Sequence, residues 1–133
     1  MTAPRPGEPE FELRVTAWVD APAHDNVRRQ WKRHWASPPP ARPGWVAATV
    51  CAIEVAPTKA IMFTWAVHAP VDGHVRAQGE ATTADRARHL ADIAIGHQIA
   101  LAVAAGHWDA DDRPTGERWR DTDVAFRGRV TGG

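Results

Sequence analysis

Apolar and polar positions alternate cleanly in three stretches of the chain. From Phe11 to Val19, the residues Phe11, Leu13, Val15, Ala17 and Val19 fall on one side and Glu12, Arg14, Thr16 and Trp18 on the other. That period of two predicts a half-buried strand. Ile61, Phe63, Trp65 and Val67 alternate with Met62, Thr64, Ala66 and His68, and Val75, Ala77, Gly79 and Ala81 alternate with His74, Arg76, Gln78 and Glu80. The segment APVDG between these two predicts a hairpin turn. Trp45 to Val55 is apolar on both sides and rich in β-branched residues, which suits a central strand. The turn APTK follows it.

Two stretches carry helical spacing instead. After DAPAHDN, in which Asp25 or Asn26 suits a helix cap, Val27, Trp31 and Trp35 recur at i, i+4 and i+8, one stripe along a helix. Pro38 to Pro40 stop that helix. A second helix is expected from about Ala84 to Ala105, capped by Thr82 or Thr83 and closed by Gly106. Ala87, Leu90, Ala94, His97 and Leu101 trace its apolar face, which makes His97 a half-buried side chain. Residues 1 to 9, with three prolines and a glycine, read as a disordered lead-in. Residues 107 to 133 start polar and end in DVAFRGRV, a short strand or a tail packed on the core. Residues 10 to 106 are thus expected to form a single α+β domain. It has a three- or four-stranded antiparallel sheet with two helices on one face, in the order β-α-β-β-β-α.

Composition narrows what such a domain does. A chain of 133 residues is the size of one domain, and its 44% apolar and 24% charged residues are ordinary for a globular protein. Net charge is zero, so any basic surface is local. The one cysteine, Cys51, allows no internal disulfide, which fits a cytoplasmic location. MTAPRPGEPE lacks the apolar segment of a signal peptide. Ile93 to Gly106, interrupted by His97 and Gln98, falls short of the roughly 20 residues of a membrane span.

The stretch RRQWKRHWASPPPARPGW, residues 28 to 45, concentrates cations and tryptophans. Arg28, Arg29, Lys32 and Arg33 could each neutralise a phosphate, and Trp31 or Trp35 could stack on a base if exposed. The competing reading is a solvated polar face above a tryptophan core. His68 and His74 flank the hairpin turn, and His89 shares a helix face with Asp85 and Asp92. No H-x-x-x-H or C-x-x-C spacing supplies metal ligands. HWDADD fails as a calcium loop, because Pro114 and Arg120 stand where glycine and glutamate are needed. Cys51 lies in the most apolar strand and reads as inert packing. No set of acid, base and nucleophile assembles, so the expectation is a non-enzymatic binding module without cofactor or metal. If both helices cover one sheet face, the other carries Met62, Thr64, His68, Arg76, Gln78 and Trp18. Of these, Trp18, Met62, His68 and Arg76 would form an interface for a protein partner or a second copy of the chain.

FTWAVHAPVDGHVRAQGEATTADRARHLADIAI, residues 63 to 95, joins an aromatic strand, a glycine turn, a strand ending in A-x-G-E and an alanine-rich helix. Taken over roughly residues 24 to 105, this order resembles the double-stranded RNA-binding domain. The resemblance implies an α-β-β-β-α fold and a nucleic-acid partner. The family's lysine cluster at the start of its last helix grips phosphates across the groove. Here that place runs from Thr83 to Arg88, with Arg86 and Arg88 as its cations. The family's loop between its first two strands enters the minor groove. Here it is APTK, with Lys59 as its basic group.

Overall fold

The computed structural model of the chain describes residues 2–23, 26–36 and 45–107. Helix α1, Pro9–Glu12, is followed by β1, Val19–Ala21, β2, Val27–His34, β3, Val46–Val55, β4, Ala60–His68, β5, Val75–Ala81, and helix α2, Ala84–Ala104. The five strands form one antiparallel sheet in the order β1-β2-β3-β4-β5, so every strand lies beside its neighbour in sequence. The α+β class with an antiparallel open sheet and two helices is as expected. Among the described residues the strand count is five, not three or four, and the β-α-β opening is not what forms.

Both departures have the same origin. Positions i, i+4 and i+8 lie on one face of a helix and also on one face of a strand, so Val27, Trp31 and Trp35 satisfy both periods. What decides is β3. An apolar strand needs a ladder partner on each edge to satisfy its backbone groups, and β2 supplies it, pairing Gln30 with Cys51, Trp31 with Val50 and Lys32 with Thr49. The expected first strand fails from the other direction. Pro9 sits at the first helical position, where its fixed φ suits a turn of helix. Phe11 and Val15, four apart, are both buried. Of the expected strand, only a bridge from Val15 to Trp35 and the start of β1 remain.

The register assigns the two sheet faces. Trp31, Arg33, Ala48, Val50, Ala52, Phe63, Trp65 and Val67 lie under α2, and Gln30, Lys32, Thr49, Cys51, Ile53, Met62, Thr64 and Ala66 lie on the opposite face. Thr83 caps α2 by accepting a hydrogen bond from the Arg86 N–H, and Gly106, at φ +81°, follows its end. The buried face of α2 is Ala87, Ala91, Ile95, Gly96, Ile99 and Ala102, so of the expected stripe Ala87 is buried and Ala94 half-buried against the core, while the rest turns away. Leu101 is 62% exposed and His97 is exposed rather than half-buried. The tryptophans explain the rotation. They fill the space above the sheet, so the helix approaches through alanines. Gly79 in β5 serves the same end: a Cβ there would meet the Trp65 indole at 2.9 Å.

The N-terminal segment packs on the same side as α2. Phe11, Val15 and Trp35 share one core cluster with Ala91 and Ile95. Residue 96 must be glycine for this segment to pass, because a Cβ would run into the Pro4 carbonyl oxygen.

Candidate nucleic-acid interface

Antiparallel pairing sets where the predicted cations lie. β2 begins beside the end of β3, since Val27 pairs with Ile53. Lys59 occupies the β3–β4 turn at φ +62°, in the left-handed region that lysine seldom adopts. β5 ends opposite the start of β4, with Ala81 beside Phe63, and α2 starts three residues later. Arg28, Arg29, Lys59, Arg86 and Arg88 therefore share one end of the molecule. Three separate segments supply them.

Trp31 organises two of these cations. The Arg29 guanidinium lies 4.8 Å from the Trp31 ring centroid, and that of Arg88 lies 5.1 Å from it. Trp31 is only 8% exposed. It cannot stack on a base, as an exposed tryptophan would, and acts instead as a platform that orients two arginines. The cations also have anionic neighbours. Arg28 pairs with Glu54, Arg29 with Asp20 at 3.6 Å, and Arg88 with Asp85. Each pair is exposed on at least one side, where an ion pair contributes about 0–1 kcal/mol. Five cations against four carboxylates, Asp20, Glu54, Glu80 and Asp85, leave this end with a small excess of positive charge.

Two predicted cations lie elsewhere. Lys32 stands on the sheet face opposite α2, in register with Thr49. Arg33 is withdrawn from any ligand. Its side chain is 7% exposed, donates to Asp92 Oδ1 at 2.7 Å and to the Thr16 carbonyl at 2.7 Å, and lies over the rings of Phe11 and Trp18. Burial raises the Asp92 pKa above its ordinary value, while the hydrogen bond and charge of Arg33 and the Trp18 hydrogen bond pull it down. This is a structural latch. The alternation of Arg29, Trp31, Arg33 and Trp35 was its signal in the sequence. Reading the stretch as a helix hid it.

The expected protein interface divides in the same way. Trp18 is not on the open sheet face: its indole Nε1–H donates to Asp92 Oδ1 at 3.1 Å, on the α2 side. Met62 is half-buried on the open face, in register with Ile53. His68 is half-buried too, with Nδ1 at 2.9 Å from the Gly73 carbonyl, and Arg76 pairs with Asp72 at the hairpin turn. The backbone N–H of His74, together with Arg76, holds the Asp72 carboxyl below its ordinary pKa. Cys51 is half-buried on that face and accepts a hydrogen bond from Gln30 Nε2 at 3.4 Å. Among the described residues no group of three or more His, Cys, Asp or Glu side chains converges to hold a metal ion. Of HWDADD only His107 lies within the described residues. No helix among them is long and apolar enough to cross a membrane.

No protein-family model, curated protein or solved structure matches this chain. The geometry of the site alone carries the functional reading.

Proposed function

We propose that the chain is a non-enzymatic binding module that contacts the sugar-phosphate backbone of nucleic acid through the end of the sheet formed by β2, the β3–β4 turn and the start of α2. The observation that carries this reading is the Trp31 platform. It holds Arg29 and Arg88, from elements far apart in sequence, against one ring, where phosphates would compete with Asp20 and Asp85 for their guanidinium edges. The resemblance to the double-stranded RNA-binding domain points the same way over β4, β5 and α2, although β2 stands where the family has its first helix. Its phosphate-gripping position corresponds to Arg86 and Arg88, and its groove-entering loop to Lys59. Because Trp31 is covered, the contact is to backbone and independent of sequence.

Fluorescence anisotropy with labelled duplex RNA, duplex DNA and single strands, over a series of salt concentrations, tests this. Five phosphate contacts on duplex DNA give a slope of log K against log salt of about −4 to −5. Arg29→Glu with Arg88→Glu should abolish binding and leave the circular dichroism spectrum unchanged. Absence of binding at low salt, or binding indifferent to the double variant, overturns the reading. A second reading, a protein-interaction module, rests on the open sheet face. There Ile53 and Met62 lie side by side, with no other element over them among the described residues. Met62→Asp would abolish that interaction without affecting nucleic-acid binding.

A further inference from the structure

The sheet has two edges of unequal kind. β1 is three residues long, whereas β5 runs for seven, from Val75 to Ala81, and among the described residues pairs only with β4. An edge strand presents alternate backbone N–H and C=O groups to whatever can pair with them. Natural edges of this length are usually blocked by proline, by charged side chains, lysine above all, or by a β-bulge in mid-strand. β5, Val-Arg-Ala-Gln-Gly-Glu-Ala, has neither proline nor lysine. Its one irregularity is a bulge at the start, where Val75 lies opposite His68 and Ala77 opposite Val67 with Arg76 between them, and the strand is regular from there to Ala81.

We infer that β5 pairs antiparallel with the β5 of a second copy of this chain, joining two five-stranded sheets into one of ten strands. The order of charges along the strand carries the inference. Arg76, Gln78 and Glu80 are its exposed alternate positions, and Ala77, Gly79 and Ala81 the half-buried ones. A two-fold axis through Gln78 sets Arg76 opposite the partner's Glu80, Gln78 opposite the partner's Gln78, and Glu80 opposite the partner's Arg76. Both ion pairs form at once, and the positions between them are small: Ala77 meets the partner's Gly79. Sliding the register by one pair in either direction opposes Arg76 or Glu80 to Gln78 and loses both ion pairs, so one alignment is selected. Glu80 has no ion pair among the described residues, and the single partner of Arg76, Asp72, is on the exposed hairpin turn. Both side chains are available for the contact. The area of one seven-residue strand edge is below that of a stable interface, so the dimer is of modest affinity.

Sedimentation velocity from micromolar to near-millimolar protein, on the wild type and three charge variants, tests the pairing. The wild type should pass from monomer to dimer with rising concentration. Arg76→Glu and Glu80→Arg each place like charges opposite one another twice, and each should raise the dissociation constant by about tenfold or more. The double variant, Arg76→Glu with Glu80→Arg, restores opposite charges in the same register and should regain the dimer. A wild type that stays monomeric throughout, a Glu80→Arg variant that dimerises unchanged, or a double variant weaker than both single ones overturns the inference. These outcomes are independent of nucleic-acid binding, since the sedimentation is run on the protein alone.

Discussion

The Arg33–Asp92 pair allows a sharp test of how the two edges of the core are joined. Replacing Asp92 with leucine leaves a guanidinium that is 7% exposed without its carboxylate. Arginine cannot shed its charge, so this change should cost about 3–5 kcal/mol, the range for breaking a buried pair from one side. Replacing Arg33 with methionine is less severe. Asp92 keeps the Trp18 donor and can take up a proton, a step that burial already favours. A cost of about 2–3 kcal/mol follows. The double variant removes both charges and keeps the volume. It should cost only about 1–2 kcal/mol, for the Trp18 N–H and Thr16 carbonyl left without partners. Urea unfolding followed by far-ultraviolet circular dichroism gives all four stabilities. A cycle in which the double variant equals the sum of the single ones within about 0.5 kcal/mol would refute the coupling. So would an Asp92→Leu variant less costly than Arg33→Met.

Three further outcomes follow. Gly96→Ala improves helix propensity by about 1 kcal/mol, but its methyl group occupies the place of the Pro4 carbonyl; limited proteolysis should therefore show cleavage before residue 18 accelerated while α2 stays protected. Thr83→Ala removes the cap of α2 and should lower unfolding stability by about 1 kcal/mol in the same urea assay. The raised Asp92 pKa means that the folded chain holds this proton at pH values where the unfolded chain has lost it. Its contribution to stability is greatest below the ordinary value of 3.8 and is lost as pH rises through the folded value. The difference in unfolding free energy between wild type and Asp92→Asn, measured from acid to neutral pH, should change in that interval and be flat above it.

Much of the fold was legible because one period could be read without rivals. In β4 and β5 strict alternation admits only a strand, and a glycine turn separates them. α2 was legible from its length and its threonine cap. β2 was not, since three residues four apart fit either period. The deciding fact, that β3 needs a partner on its free edge, is a property of the assembled sheet. The face of α2 escaped for a related reason. Leucine is more apolar than alanine, yet beside Trp31 the buried helix residue is Ala87, and the large apolar places go to Ile95 and Ile99. Of the candidate site, the cations were legible one by one. Their gathering at one end, and the loss of Arg33 to Asp92, depended on register and on a contact across 59 positions.

The separation in sequence of the contacts around Trp18 has a kinetic meaning. Every strand pairing in the sheet joins neighbours along the chain, and such local contacts close small loops that form early. The hydrogen bond from Trp18 to Asp92 closes a loop of 74 positions, and Pro4 and Phe11 reach α2 across still longer ones. The meander and α2 can therefore assemble first, with the N-terminal segment docking onto a surface already formed. Substitutions at Phe11 or Trp18 should then speed unfolding and leave the refolding rate almost unchanged, whereas those at Val50 or Val67 should slow refolding.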